Sequence, residues 1–250
     1  MRRIFRMFLL AVLGVLVGAV LYEAIMFVRV FRLRSNNPSS TSLMDIRADE
    51  AEAKGQAVKH EQIWVPLDKI STNLQRAVLA GEDTNFTTHR GFDYEAIRKA
   101  FEQAQREAAK EAKKEGEDDD WLPNLPEFKR GGSTISQQLA KNLYLSSQRS
   151  FFRKGQEAAL TVMLERSLNK RRILEIYLNV IEWGDGVYGA EAASRQYFHK
   201  SAAGLNANEA AFLSAMIPNP RTVFNPQINP RRVARRQRII LRGMPYVKLP

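Results

Sequence analysis

The residues best suited to chemistry begin with a compact cluster at positions 82–91, where acids, an aromatic ring and a histidine occur together. A carboxylate beside an apolar ring is poorly hydrated, so its pKa rises toward the range that suits general acid–base catalysis. Glu82 and Asp83 stand close in sequence to Phe86 and fit this chemistry, and His89 adds another titratable group. A capped turn with Phe86 packed into the core would use the same residues, and the pattern alone leaves both interpretations open.

A second cluster, at residues 131–142, places hydrogen-bond donors at the start of a predicted helix. Its two leading glycines permit close approach of a ligand to the backbone, and free N–H groups at a helix start suit an anion. The spacing of a Walker phosphate-binding loop is absent, and a glycine turn before an amphipathic helix is the alternative interpretation. The side chains that could donate to phosphates or sugar hydroxyls are Gln137, Gln138, Lys141 and Asn142.

A third cluster carries cations next to an acid, since Arg149, Arg153 and Lys154 are followed by Glu157. Positive charges at this density suit a phosphate leaving group, and Glu157 would be a second reactive carboxylate beside it. A salt-bridged helix start at the protein surface is the alternative, because charge clusters of this kind are common.

The composition limits the remaining chemistry. The chain has 250 residues, with 38 basic and 27 acidic side chains and a formal net charge of +11 at pH 7. The absence of cysteine excludes disulfides, cysteine-ligated zinc, iron–sulfur clusters and a thiol nucleophile. The three histidines are far apart in sequence, which argues against a histidine-rich metal site. The excess of positive charge favours an anionic partner, such as nucleic acid, phospholipid headgroups or a phosphorylated substrate.

The elements that position these clusters are predicted to be helices. Apolar residues recur with helical spacing in most segments, and only residues 61–66 suggest a strand. Ser133 and Thr134 are good N-caps, and Asn206 begins a predicted capping box. A fourth cluster, at 170–189, combines an apolar helical stripe with a glycine-marked loop, and we interpret its helix as mainly structural. The spacing predicts helices that end near Gly81 or span 94–112, 135–142, 154–168, 173–181 and 209–217.

The N-terminus is predicted to anchor the chain in a membrane. Residues 7–28 form an apolar run of 22 residues that a single acid, Glu23, interrupts. As a helix this run would be about 33 Å long, enough to cross the hydrocarbon core of a bilayer. A cleaved signal peptide is the alternative, but its apolar region would be shorter and would precede a small-x-small cleavage site. Arginines flank the run equally on both sides, so charge does not set its orientation.

In their order along the chain, the clusters resemble one known family, the glycosyltransferase domain of class A penicillin-binding proteins and its monofunctional form, the peptidoglycan transglycosylases. The signatures read E-D-x-x-F-x-x-H-x-G from Glu82, G-G-S-T-I-x-Q-Q-L-x-K-N from Gly131, R-K-x-x-E from Arg153 and I-L-E-x-Y-L-N from Ile173. A fifth signature occupies residues 209–220. The resemblance covers residues 62–245 or thereabouts.

The resemblance implies a mainly α fold, in which an N-terminal transmembrane helix precedes a two-lobed, lysozyme-like glycosyltransferase domain. It implies polymerisation of lipid II, a disaccharide-pentapeptide on undecaprenyl pyrophosphate, into β-1,4-linked glycan strands, with inversion and without transpeptidase activity. Glu82 is then the general base toward the acceptor hydroxyl, and Glu157 assists the leaving group. Lys141, Arg149 and Arg153 neutralise the pyrophosphate. The remaining substrate-binding residues that the resemblance implies are Asp83, Phe86, His89, Ser133, Thr134, Gln137, Gln138, Asn142 and Lys154.

The resemblance also implies the surroundings of the enzyme. Its partners are lipid II, the growing glycan strand and cytoplasmic membrane lipids, with other cell-wall synthesis or division proteins as further candidates and no nucleic acid. We expect no metal site and no tightly bound cofactor, although Mg²⁺ or Mn²⁺ could arrive with the pyrophosphate. We expect a charged insertion at 102–130, in or near the small lobe. We expect the chain to cross the bacterial inner membrane once, with its catalytic domain in the periplasm. The expected segments are a cytoplasmic tail at 1–6, a single-pass anchor at 7–28, a juxtamembrane linker at 29–60 and the catalytic domain at 61–250.

Two other functions are compatible with parts of the sequence. A lysozyme-like lytic enzyme would have a similar fold and a glutamate as acid, but a neutral glycan gives the cations at 149–154 no role. A membrane-tethered basic module could bind nucleic acid or anionic lipid, since eight basic residues and no acid lie between position 210 and the end. The aromatic residues that a single-strand binder interleaves with its cations are missing from the arginine-rich stretch 231–238.

Overall fold

The chain folds mainly into α-helices. In the computed structural model, residues 2–115, 133–146 and 150–250 are described. The predicted mainly helical fold, led by a long apolar helix, is confirmed. Across these ranges the helices are α1 (Arg2–Arg32), α2 (Ser42–Ala53), α3 (Thr72–Glu82), α4 (Tyr94–Glu115), α5 (Ile135–Tyr144), α6 (Phe151–Ser167), α7 (Lys170–Val180), α8 (Ala190–Phe198), α9 (Ala207–Met216) and α10 (Pro230–Gly243).

A small three-stranded sheet accompanies the helices, with strands β1 (Glu61–Gln62), β2 (Glu182–Gly184) and β3 (Val187–Tyr188). The central strand β3 pairs in parallel with β1 and antiparallel with β2. Gly186 makes the tight β2–β3 turn with a φ of +74°, and a Cβ there would lie 2.7 Å from the Lys59 carbonyl oxygen. The strand expected at 61–66 is present but short, since β1 has only two residues. The glycine-marked loop region contains the two further strands, β2 and β3.

Side-chain caps fix the starts of the helices that carry the candidate site. The Thr134 hydroxyl accepts a hydrogen bond from Gln137 N, while the Gln137 side chain accepts one from Thr134 N. Asn206 and Glu209 form the same reciprocal box at α9, as the sequence predicts. Ser150 caps α6, so this helix begins three residues before its expected start. These caps satisfy backbone N–H groups that would otherwise lack partners at a helix end.

The helix α7 lies at the centre of the hydrophobic core, where it contacts α5, α6 and α8. Its apolar stripe is confirmed, and burial extends around more of its circumference than a stripe requires. The helices α3, α9 and α10 pack against one another. The fully buried apolar residues of α7 are Ile173, Leu174, Ile176, Tyr177, Leu178 and Val180.

The long apolar helix α1 packs onto the domain at its C-terminal end. Within the described ranges it is the one helix that is long and apolar enough to cross a membrane. Met26, Val30 and Leu33 are buried, and the helix packs against α6. Arg34 Nε donates a hydrogen bond to the Ser167 carbonyl oxygen (2.6 Å). The end of α1 is therefore joined to the end of α6 by both apolar burial and a hydrogen bond.

The segment for which the sequence predicts a linker contains α2, which packs against α5. Thr41 caps this helix, and Met44 is buried. Arg47 forms an ion pair with the buried Glu182 at 3.0 Å. The helix is therefore held on the domain by a cap, an apolar contact and an ion pair.

Candidate active site

Glu82 is the last residue of α3, and two other helices hold its carboxylate. Gln138 of α5 donates a hydrogen bond from its side-chain amide to Glu82 Oε2 (3.0 Å). Arg236 of α10 donates from Nη2 to Glu82 Oε1 (2.7 Å). The Glu82 side chain is 9% exposed. Three helices thus surround one nearly buried carboxylate.

Burial raises the pKa of Glu82 above its ordinary value, while Arg236, Gln138 and Lys141 act in the opposite direction. Desolvation penalises the charged carboxylate, whereas nearby cations and hydrogen-bond donors favour it. A carboxylate in this balance becomes a stronger proton acceptor than an exposed glutamate and still has partners for its charged form. This is the property that a general base needs.

Tyr177 of α7 orients Gln138. Its hydroxyl donates a hydrogen bond to Gln138 Oε1 (2.8 Å), so the amide nitrogen of Gln138 faces Glu82. Burial raises the pKa of Tyr177 well above 10, and the carboxylates of Glu82 and Asp83 add to this effect. The tyrosine hydroxyl therefore keeps its proton and remains a donor. A chain of hydrogen bonds runs from the core through Gln138 to Glu82.

Asp83 and His89 join the turn after α3 to the start of α5. Asp83 Oδ2 accepts a hydrogen bond from Ile135 N (2.9 Å), and His89 Nε2 lies 2.9 and 3.0 Å from the two Asp83 oxygens. The Thr134 hydroxyl donates to the Gly91 carbonyl (2.6 Å). These polar atoms are engaged within the protein, so the structure gives the residues a positioning role. Direct contact of Asp83, His89 or Thr134 with substrate stays a prediction.

Phe86 and Gln137 also contribute to the interior of the domain. Phe86 is buried, with Lys170 Nζ 4.4 Å from its ring centroid, and Gln137 completes the cap of α5. Ser133, in contrast, is exposed and lines a cavity of about 190 Å³ together with Glu82. Ser133 is therefore placed to contact a ligand bound beside Glu82.

The third cluster brings a second buried carboxylate into contact with two cations. Glu157 of α6 is 4% exposed. Arg153 Nη1 donates to its Oε2 (3.2 Å), and Lys154 forms an ion pair with its Oε1. Spacings of three and four residues on a helix bring these side chains to one face. Arg149 lies outside the described residues, so its expected contact with a pyrophosphate stays a prediction.

Lys141 of α5 lies within electrostatic reach of both carboxylates. Desolvation lowers its pKa, the neighbouring Arg153 and Lys154 lower it further, and Glu157 and Glu82 act in the opposite direction. The Lys141 side chain is nevertheless accessible to solvent. It lines a second cavity, of about 220 Å³. An anion that entered this cavity would favour the charged form of Lys141.

The second cavity gathers residues from several of the sequence signatures. Gln138, Lys141 and Asn142 line it together with Tyr177. The chain at 217–221, which includes the end of the fifth signature, supplies another wall. Gln138 also contacts Glu82, so the Glu82–Gln138 pair connects the walls of the two cavities.

The two buried carboxylates have cationic surroundings. In the parts of the chain that the structure describes, no three histidine, aspartate or glutamate side chains group closely enough to hold a metal ion. Glu82 and Glu157 each face cationic side chains instead. The site as a whole combines a nearly buried carboxylate, Glu82, whose pKa is raised by burial, with a separate set of cations.

The family described as Transglycosylase matches residues 50–116 and 121–245, which is most of the chain. The chain belongs to the transglycosylase family. It is similar along its length to proteins named biosynthetic peptidoglycan transglycosylase. The one from Aromatoleum aromaticum is 48% identical over 231 residues, which cover 92% of each chain. The one from Chromobacterium violaceum is 47% identical over 250 residues, which cover 97% of this chain and 98% of its own.

In this transglycosylase, some residues of the candidate site have no clear signal in the sequence. Arg236 is one of five arginines at 231–238, and their spacing does not indicate which of them meets Glu82. Arg47 and Glu182 line the second cavity, yet Arg47 precedes the matched part of the transglycosylase family. Tyr177 stands in the fourth signature, where its apolar neighbours indicate packing rather than a polar contact.

Proposed function

We propose that this transglycosylase is a peptidoglycan glycosyltransferase that polymerises lipid II into β-1,4-linked glycan strands. One observation carries the proposal: the nearly buried carboxylate of Glu82, whose pKa is raised, lies within electrostatic reach of Lys141. Lys141 also interacts electrostatically with Glu157 and with the two cations that Glu157 pairs with. The names of the relatives, which specify a biosynthetic peptidoglycan transglycosylase, support it. The base and the cations are the two groups that this reaction requires.

The proposed reaction is a single displacement. Glu82 takes the proton from the 4-hydroxyl of the acceptor sugar, and the resulting oxygen nucleophile forms a bond to the anomeric carbon of the donor. The bond from that carbon to the pyrophosphate oxygen breaks, and its electron pair leaves with the pyrophosphate. Because the donor is α-linked and the product is β-linked, the carbon is inverted, and no covalent enzyme intermediate is needed.

In this proposal each of the two cavities receives the reacting end of one substrate. The acceptor occupies the cavity that Glu82 and Ser133 line, where its hydroxyl meets the base. The donor occupies the cavity that Lys141 lines. Arg153 and Lys154, which act electrostatically on Lys141, add positive charge for the pyrophosphate. Glu157 orients these cations through its ion pairs. In this proposal no cofactor is tightly bound, and any Mg²⁺ or Mn²⁺ is carried by the pyrophosphate oxygens.

Incubation of the purified chain with lipid II in detergent tests the function. We expect glycan polymer and released undecaprenyl pyrophosphate, and we expect isolated peptidoglycan to remain uncut. Heat-denatured protein is the control. Soluble fragments from peptidoglycan, without polymer from lipid II, would replace this proposal with the lytic alternative.

The proposed location is the bacterial inner membrane, with α1 crossing it once and the domain on the periplasmic side. The apolar helix supports the anchor, and the supply of lipid II on the outer face of the membrane supports the orientation. Membrane lipids around α1 and other proteins of wall synthesis or division remain proposed partners.

The absence of cysteine makes this orientation directly measurable. Lys69 is exposed on the domain and Arg6 precedes the apolar run. With a membrane-impermeant maleimide applied to spheroplasts, we expect a Lys69→Cys protein to be labelled at once and an Arg6→Cys protein only after permeabilisation. The wild-type chain is the unlabelled control. Labelling in the reverse order would place the domain in the cytoplasm and contradict the proposal.

A further inference from the structure

Arg236 of α10 makes two hydrogen bonds from one nitrogen. Its Nη2 donates to Glu82 Oε1 (2.7 Å) and to the Gly81 carbonyl oxygen (2.9 Å). The guanidinium carbon lies 5.5 Å from the ring centroid of the buried Phe224, and the side chain is 25% exposed. Arg236 is therefore held between an aromatic ring and the last turn of α3, with its charge directed at the carboxylate.

Gly81 allows α10 to come this close. A Cβ at position 81 would lie 2.8 Å from Ser214 Oγ and 3.1 Å from Ile240 Cδ1. Residues four apart lie on the same face of a helix, so the contact of Ile240 with Gly81 also presents Arg236 to the same end of α3. The glycine thus fixes the distance between the arginine and the carboxylate.

We propose that Arg236 is a positioning residue for the reaction, one that keeps Glu82 ionised and oriented as its base. This inference rests on the proposed function, because Glu82 must be the base for its ionisation to limit the rate. Arg236 acts through Glu82 and does not contact the sugar or the pyrophosphate in this proposal.

The groups around Glu82 come from three helices besides its own. From α10, Arg236 favours the charged carboxylate. From α5, Gln138 and Lys141 also favour the charged carboxylate. Desolvation of Glu82 opposes the effect of these three residues. From α7, Tyr177 faces Gln138 as a neutral donor. Arg236 is thus the one full charge in hydrogen-bond contact with Glu82 among the described residues, and its loss would leave a desolvated carboxylate that binds a proton more readily.

The pH dependence of kcat/KM for lipid II polymerisation tests this role. The acidic limb of that profile reports the ionisation of the base in the free enzyme. With Arg236→Met we expect the limb to move to higher pH by about 1–3 units, the range over which one adjacent cation shifts a carboxylate. With Arg236→Lys, which keeps the charge but loses the double contact, we expect the limb to stay near wild type while the rate falls.

Arg235→Met is the matched control, because Arg235 is the exposed neighbour on the same helix, and its profile should equal that of the wild type. Melting temperatures identify variants that fail to fold, and the Arg236→Lys comparison remains informative in that case. A loss of rate that is uniform across pH, with no movement of the limb, would overturn the inference. A wild-type chain without polymerase activity would instead overturn the proposed function.

Discussion

A Glu82→Gln protein should polymerise lipid II about 10²–10⁴-fold more slowly than the wild type, the loss expected when a general base is removed. Glutamine has nearly the same shape and can keep a contact with Gln138, but it cannot take the proton of the acceptor hydroxyl. The measurement is the initial rate of glycan polymer formation from lipid II at saturating substrate. Binding of lipid II should change little, because this substitution leaves the proposed donor cavity and its cations intact.

Glu52→Gln is the control for this prediction, since Glu52 is an exposed glutamate of α2; it should have normal activity. Asp83→Asn offers a contrast, because Asp83 holds Ile135 N and His89. We expect that change to lower the melting temperature, whereas Glu82→Gln should not. A Glu82→Gln protein with a wild-type polymerisation rate would show that another group is the base.

The second large effect is expected for Lys141→Met, which should lower kcat by about 10²–10³-fold, as for other groups that stabilise charge in the transition state. Methionine approximates the length of the lysine side chain without its ammonium group. The pyrophosphate would then leave with less compensation for its developing charge. Steady-state kinetics with lipid II measure kcat and KM separately, and we expect the larger change in kcat.

Two further variants show whether the effect of Lys141→Met comes from the loss of charge at this position. Lys69→Met changes an exposed lysine outside both cavities and should be neutral. Lys141→Arg keeps the charge with a different shape, so partial activity is expected from it. If Lys141→Met raised KM alone and left kcat unchanged, Lys141 would contribute to binding rather than to departure of the leaving group.

Local sequence patterns predict the helices well where the determinants are local. The cap at Thr134, the capping box of Asn206 and the apolar spacing of α7 each depend on residues within a few positions of one another, and each agrees with the structure. The strands β2 and β3 are too short to show a period of two. The helix α2 is not predicted, because it lies in a polar stretch of the sequence. Its stability comes from contacts with distant residues such as Glu182.

The candidate site likewise contains residues that the sequence predicts and residues that only the structure reveals. The types and spacing of Glu82, Lys141 and Glu157 suffice to nominate them, since each stands in a short signature. The sequence cannot separate residues that touch a ligand from those that hold the ligand-binding residues in place. Asp83 shows this limit, because its contact with Ile135 N joins segments about fifty residues apart. Arg236 shows it again, since only the packing of α10 distinguishes it from its neighbours.

The junction between α1 and the domain has a mechanical consequence. Val30 and Leu33 are buried at this junction, and Arg34 donates a hydrogen bond to the Ser167 carbonyl oxygen. We therefore expect the domain to turn with α1 when the angle of this helix changes. A helix of fixed length tilts by different amounts in bilayers of different thickness. In the proposed arrangement, with α1 crossing the membrane, the height and slope of the two cavities above the lipid surface therefore depend on the thickness of the membrane as well as on the protein.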